Sequence, residues 1–249
     1  MSSDPKTPNL ARMYDYMLGG KDNHAIDREA VDRLVAHVPE TVPLARAARA
    51  FLGRAVRHLA ADGVRQFLDL GSGLPTQGHV HEVVRDVAPA ARVVYVDRDP
   101  AVADQARALL GEPGRVAFVE ADLLRPAELL ARPEVAGLID LAEPVGVLLV
   151  SVLHVFPDAD DPQGVVATLR EAVAPGSHLV LTHAVAAGTS RGSAACRTPP
   201  EIRAFFGDFE LLKPGLVQVA EWRPDDLARV WDAPLPPSLL AGVARKPPG

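Results

Sequence analysis

Two glycines and two aspartates fall where bare backbone and side-chain oxygens can meet one ligand. Gly71 and Gly73 stand in the stretch DLGSGLPTQGHVH, residues 69–81, at which an apolar run ends and a helical pattern begins. Glycines there let a ligand approach the backbone, and a helix N-terminus offers free N–H donors to an anion. A dinucleotide fingerprint needs a third glycine for close helix–strand packing, and Thr76 holds that position instead. A carboxylate is therefore expected at the turn rather than a pyrophosphate. Asp97 ends the next apolar run, RVVYVD, where a carboxylate can accept two ribose hydroxyls. Asp122, after a third run in VEADLL, can accept a hydrogen bond from an adenine amino group.

Other residues carry weaker signals. His154 follows a fourth apolar run, on the edge where a second reactant would lie, and is a candidate general base. A satisfied structural histidine is the plainer reading of it. His183 and Arg191, beyond a fifth run, are further candidates. His79 and His81 look like a metal pair, but i, i+2 spacing sends them to different helix faces, and no metal is expected. Asp99, directly before Pro100, reads as a helix cap. Tyr14, Tyr16, Lys21, Asp22 and Asn23 flank a Gly19–Gly20 break, on and after a helix that also carries Met13. A polar, aromatic, glycine-hinged segment suits a lid that closes over a ligand and shapes an acceptor pocket. Tyr14 as core and Asp22 as a cap is the plainer alternative.

The elements that must hold these residues follow from periodicity. In LARMYDYML the side chains of Leu10, Met13, Tyr14, Met17 and Leu18 form one helical stripe. Asp22 or Asn23 is placed to cap a second helix, with Ile26, Ala30, Leu34 and Val35 on one face. A third helix from Thr41 buries Leu44, Ala48, Phe51, Leu52, Ala55 and Leu59. From Val64 onward strands alternate with helices: RQFLDL, RVVYVD, RVAFVEAD, VGVLLVSVL and SHLVLTHA are the strands. The intervening helices carry Val80, Val83, Val84 and Val87, then Val102, Ala106, Leu109 and Leu110 closed by Gly111, then Val165, Val166 and Leu169 after Asp161–Pro162. Strands apolar on both faces imply a parallel sheet covered by helices on both sides. FELLKPGLVQVAEW reads as extended segments around a Pro-Gly turn, and LLAGVARK as a last strand.

With 249 residues, 48% of them hydrophobic, the chain can bury the core of one large domain. A net charge of -6 supplies no basic field for nucleic acid or anionic membrane. The densest apolar run, VGVLLVSVLHVF, is too short to span a bilayer, and MSSDPKTPNLAR lacks the apolar core of a signal peptide. Cys196 is the only cysteine, so neither an internal disulfide nor a cysteine-based zinc cluster can form. A cytoplasmic protein is expected. Scarce lysine beside abundant arginine, alanine and valine fits a GC-rich bacterial genome by association.

A ligand with an amino-acid carboxylate, a ribose and an adenine is S-adenosylmethionine. FLDLGSG, VVYVDRDP and FVEADLL, in that order, resemble the three cofactor motifs of the Rossmann-like S-adenosylmethionine-dependent methyltransferases. PNLARMYDYMLGGKDNHAIDREA, LDLGSGLPTQGHVHEV, SVLHVFPDADDP and RTPPEIRAFFGDFELLKPGLVQVAEWRPD resemble one subfamily, the actinobacterial S-adenosyl methyltransferases formerly classed as a domain of unknown function. The resemblance runs from about Pro8 to Arg245. It implies a Rossmann-like, doubly wound α/β fold with a seven-stranded, mostly parallel sheet, an antiparallel C-terminal strand and an N-terminal helical lid. Residues 1–60 would be the lid and 61–249 the cofactor-binding domain, together one structural unit. S-adenosylmethionine would be the cofactor and S-adenosylhomocysteine its product. Asp69, Gly71, Ser72 and Gly73 would surround the methionine part, and Asp97 would hold the ribose. Asp122 with Leu123 would edge the adenine, and Ser151 with Leu153 would lie beneath the sulfonium. Arg98 departs from the relatives, which carry a smaller or amide residue there; it would stack on adenine or point to solvent. Met13, Tyr14, Tyr16, Gly20, Lys21, Asp22 and Asn23 would form the lid and border the acceptor, with Tyr14 and His154 closest to the chemistry.

Methyl transfer from a sulfonium is an in-line displacement to which the protein contributes alignment and a dry pocket. A general base matters only when the attacking atom must lose a proton. The fourth-strand exit reads S-V-L-H, not the N-P-P-Y or D-P-P-Y of enzymes that methylate exocyclic amines of bases. A small-molecule acceptor is expected, without nucleic acid or membrane, and a homodimer stays open. The rivals are a non-catalytic binder of the cofactor acting as sensor or scaffold, a nicotinamide-dependent reductase, and an enzyme of this fold with other chemistry such as decarboxylation.

Overall fold

The computed structural model describes residues 7–75, 78–109, 114–186, 195–226, 235 and 238–248. Thr76, Leu110, Gly111 and Arg191, singled out above, lie outside the described residues, as does the side chain of Leu109. Three helices come first: α1 (Leu10–Met17), α2 (Ala25–His37) and α3 (Thr41–Ala61). Then β1 (Gln66–Leu70), α4 (Val80–Arg85), β2 (Arg92–Asp97), α5 (Pro100–Leu109) and β3 (Val116–Glu120) alternate. Two short helices, α6 (Pro126–Leu130) and α7 (Pro133–Ala136), lead to β4 (Gly146–Leu149). Two 3-10 turns, α8 (Pro162–Ala172), β5 (His178–Ala184) and α9 (Pro199–Ala204) follow. The sheet is completed by β6 (Glu210–Leu211), β7 (Val217–Gln218) and β8 (Leu239–Arg245).

The sheet runs in the order β3-β2-β1-β4-β5-β8-β6, with β7 also paired to β8. Strands β1 to β5 are parallel, and β8 lies antiparallel to β5 from His178↔Arg245 to Ala184↔Leu239. The expected seven positions are filled by eight segments, because the Pro214–Gly215 turn splits the outermost position into β6 and β7. The chain winds outward through β1, β2 and β3 and then returns to β4 beside β1. The direction of winding therefore reverses at the carboxyl ends of β1 and β4, where open α/β sheets bind ligands.

Each face of the sheet has its own core. On one, Phe51, Leu52, Ala55 and Leu59 of α3 pack on Phe67, Val93, Leu148 and Val180. On the other, Val165, Val166 and Leu169 of α8 and Ile202, Phe205 and Phe206 meet Leu68, Val147, Leu149 and Leu181. A C-terminal strap anchors α3 further: Arg54 donates to the Trp222 and Val219 carbonyls, and the Trp222 ring meets Phe51 edge-on at 5.4 Å. Helix α3, within the first sixty residues, is thus built into the sheet's own core.

The first two helices depart from the periodicity reading. Leu10 is 49% exposed and Leu34 39%, while Arg12, Asp15 and Asp27 are buried. Partner chemistry inverts the stripe. Arg12 Nε donates to Asp27 Oδ2 at 2.7 Å, the Asn9 backbone N–H donates to Asp27 Oδ1, and the Asn9 side-chain amide donates to Asp99 Oδ2. Buried charge persists only when paired and hydrogen-bonded, and this network is. Nor does Asp22 or Asn23 cap α2. His24 holds that position, with its N–H donating to Asp27 Oδ2. The Asp22 N–H and Asn23 Nδ2 instead both donate to Asp15 Oδ2. The loop closes so tightly around Asp15 that a Cβ on Gly20 would fall 1.9 Å from its Oδ1. Among the described residues no helix is long and apolar enough to cross a membrane.

Candidate functional site

The turn after β1 is shaped by its glycines. Gly71 has φ +71° and Gly73 φ +65°, conformations that β-carbon-bearing residues rarely adopt. At Gly71 space is also short, since an added Cβ would lie 2.4 Å from Val152 Cγ2 in the loop after β4. The turn's donors are already in use, contrary to the expectation of free N–H groups. Gly71 and Ser72 donate to the Val96 carbonyl at 2.8 and 3.0 Å, and Gly73 donates to Asp97 Oδ2 at 2.9 Å. The helix start is occupied as well: His79 N–H donates to Glu82 Oε2, and His81 N–H to the Tyr95 hydroxyl. The backbone here organises side chains.

Asp97 is held at the end of β2 by that Gly73 bond and by the Asp99 N–H, which donates to Oδ1 at 3.0 Å. The Arg98 backbone N–H adds a third bond, which leaves the carboxylate room for a further donor. Burial raises its pKa against the lowering effect of the backbone bonds from Gly73, Asp99 and Arg98. Asp99 caps α5, accepting from Ala101 N at 2.9 Å. Asp69, buried at the end of β1, is pushed up to about 7 by burial, partly offset by Arg49. Asp122 and Arg98 face each other at 3.9 Å, both open to solvent, with the Arg98 guanidinium 5.8 Å from the Phe156 ring. Leu123 and Leu153 are buried in the core, so they back the site from beneath.

A cleft beside the turn is lined by Arg49, Asp69, Ser72, Gly73, His79 and Tyr95. Arg49 and Tyr95 were not anticipated. Arg49 sits at i+4 from Ala45 and three before Leu52, inside a buried stripe of α3. A charge interrupting an apolar stripe was the signal available for it. Its guanidinium lies 5.8 Å from the Tyr14 ring centroid. Tyr14 reaches across from α1, donates its hydroxyl to the Ala45 carbonyl at 3.1 Å, and neighbours Ser151 and Asp69. Met13 and Tyr16 are half-buried, and Lys21 is exposed. His79 and His81 do share a side after all, their rings stacked at 5.2 Å, because His79 precedes the helix and the face rule does not reach it.

At the carboxyl ends of β4 and β5 the chemistry changes. Ser151 adopts φ +59°, and its N–H donates to Thr182 Oγ1 at 2.8 Å. His154 Nδ1 is enclosed without a hydrogen-bond partner among the described residues. Its ring meets His183 edge-on at 5.9 Å. Burial pushes both histidines down to about 4. His183 Nε2 accepts from Arg197 at 2.9 Å, so its proton sits on Nδ1, which donates to the Ala184 carbonyl. Arg197, unanticipated and buried, also donates to the Phe156 carbonyl and pairs with Asp158 at 2.8 Å. Among the described residues no three metal-ligating side chains cluster.

Comparison with known proteins adds to this geometry. A family model described as S-adenosyl methyltransferase matches residues 1–247. A crystal structure assigned as a methyltransferase from Thermobifida fusca is 41% identical, with a TM-score of 0.89 over 98% of this chain and 97% of its own. A DUF574 family protein from Streptomyces avermitilis is 38% identical, with a TM-score of 0.91 over 98% and 99% of the two chains. At 20% identity, the Burkholderia thailandensis 1,6-didemethyltoxoflavin-N1-methyltransferase, solved with 1,6-didemethyltoxoflavin and S-adenosylhomocysteine, shares the fold over 97% of this chain and 92% of its own, at a TM-score of 0.52. Among curated proteins none matches.

Proposed function

The chain belongs to the S-adenosyl methyltransferase family and is an S-adenosylmethionine-dependent methyltransferase; from that premise we propose that it methylates a small molecule received at the carboxyl ends of β4 and β5, beneath a lid formed by the N-terminal segment. One observation carries this reading. Tyr14 of α1 neighbours Arg49 and Asp69 of the cleft and also Ser151 at the carboxyl end of β4. The segment that would close therefore reaches both the cleft after β1 and the loop after β4. Of residues 1–60, assigned above to the lid, α1 and α2 would move, while α3 stays with domain 61–249. A cytoplasmic location, away from nucleic acid and membrane, accords with the net charge of -6.

The residues present fit the cofactor. Asp97 offers ribose hydroxyls its remaining lone pairs, and Asp122 with Arg98 flanks the place for the base. When bound, S-adenosylmethionine supplies an electrophilic methyl group carried on a sulfonium. Tyr14 and Ser151 then narrow the passage between the two halves and exclude water from it. His154, uncharged at neutral pH, accepts a hydrogen bond from the attacking hydroxyl or N–H and orients its lone pair. A group that binds a proton only near pH 4 aligns the acceptor rather than standing as a strong base. The Burkholderia thailandensis enzyme of this fold, solved with 1,6-didemethyltoxoflavin, supports a small-molecule acceptor.

Calorimetric titration with S-adenosylmethionine, S-adenosylhomocysteine and NAD tests the site, followed by a screen for acceptor-dependent release of S-adenosylhomocysteine. Micromolar binding of the first two, silence from NAD and turnover on a small molecule are expected. Turnover confined to nucleic acid or protein acceptors would overturn the small-molecule reading.

A further inference from the structure

Resting on the reading of this cleft as the S-adenosylmethionine site, we propose that Arg49 of α3 is the receptor for the cofactor's carboxylate, and that Asp69, across the same cleft, takes its ammonium. The amino-acid tail is a zwitterion, so its seat needs one charge of each sign. Arg49 and Asp69 both line the cleft, and no direct ion pair joins them among the described residues, which leaves each available to a ligand. Arg49 Nε is enclosed and makes no hydrogen bond. An enclosed guanidinium N–H without an acceptor is a standing cost that a bound carboxylate relieves.

Two further observations favour this residue. Four backbone donors of the turn are engaged: Gly71 and Ser72 on the Val96 carbonyl, Gly73 on Asp97, and His79 on Glu82. A carboxylate entering beside Asp69 and Asp97 would otherwise meet only negative charge, and Arg49 is the cation lining the cleft among the described residues. The guanidinium is also held ready, 5.8 Å from the Tyr14 ring on one side, on a helix that Trp222 and Arg54 fasten to the sheet. Its charge acts on Asp69, His79 and Tyr95, which line the cleft with it.

The test compares ligands that differ only in the tail, by calorimetry on wild type, Arg49→Met and Arg49→Lys. In Arg49→Met, affinity for S-adenosylhomocysteine should fall about 10- to 100-fold, the loss of one charge-assisted carboxylate contact. Affinity for 5′-methylthioadenosine, which has no amino-acid tail, should stay within about twofold, which also shows that the variant folds. Wild type should prefer S-adenosylmethionine to its decarboxylated form, a preference that Arg49→Met erases and Arg49→Lys partly restores. Equal losses for S-adenosylhomocysteine and 5′-methylthioadenosine, or no loss for either, would overturn the assignment. If wild type binds neither compound, the cofactor-site reading itself fails, and the proposal with it.

Discussion

The carboxyl ends of β1 and β2 and those of β4 and β5 adjoin on one sheet, yet they are built on opposite electrostatic plans. The first gathers Asp69, Asp97 and Asp99, with Arg49 beside Asp69 in the cleft and Asp69 raised to about 7 by burial. The second gathers His154 and His183, both held uncharged and lowered to about 4, beside an arginine whose two terminal nitrogens are both engaged. A carboxyl poised near neutrality, as Asp69 is, suits a ligand that brings its own positive charge. Neutral imidazoles beside a cation already paired with Asp158 suit a reactant that brings none. One fold thus prepares two local environments within a few side chains of each other, and desolvation drives both in opposite directions.

The sharpest way to break this contrast is at Asp97. Replacing it with alanine removes the ribose acceptor and leaves the Gly73 N–H unpaired, so cofactor affinity should fall more than about 100-fold by calorimetry. Wild-type affinity in that variant would refute the ribose assignment. Next is the seam between the regions. Gly71→Ala should cost about 2–4 kcal/mol in urea unfolding, because the added methyl meets Val152 and φ +71° disfavours it. Val152→Ala should recover part of that loss; no recovery would mean that backbone strain alone is responsible.

The two plans should also titrate with opposite sign. His154 and His183 bind protons near about 4 when folded against 6.5 when free, so the unfolded chain holds more protons between those values. Their contribution is full above about pH 6.5 and is lost as pH falls toward 4, roughly 1–3 kcal/mol for each group. Asp69 runs the other way, about 7 folded against 3.8 free. Its contribution is present below about pH 4 and is lost as pH rises through 7. Asp69→Asn should therefore make the ligand-free protein more stable than wild type at pH 8, by roughly 1–3 kcal/mol. A variant that is less stable there would show that Arg49 already compensates the charge in full. The smallest expected effect is at the lid. Tyr14→Ala should weaken S-adenosylhomocysteine binding or turnover by roughly three- to tenfold while the fold persists, and unchanged kinetics would remove Tyr14 from the lid.

The same contrast explains what could be read in advance. The Asp99 and Asp161 caps, the end of β2 at Asp97 and the Gly71–Gly73 turn are local devices, encoded within two or three residues, and they were legible. Arg12 and Asp15 point inward only because Asp27 and Asn23 wait for them, and helical periodicity sees no such partners. Arg49 depends on a cleft whose other walls lie 20 to 69 positions further along the chain. Arg197 meets the β4 exit about 40 positions after it, and it ties His183 to a single tautomer. Signals within a turn of chain survive in sequence, whereas those made by folding distant segments together do not.

The fit between Gly71 and Val152 also bears on how relatives of this chain can be recombined. Because the nucleotide turn is cut to the shape of the loop after β4, the acceptor half is not a free cassette. A chimera that imports leucine or phenylalanine at position 152 would push the turn out of register even though every cofactor ligand is retained. Crossovers that carry both loops together, or that keep a residue no larger than valine there, are the ones that should yield folded libraries.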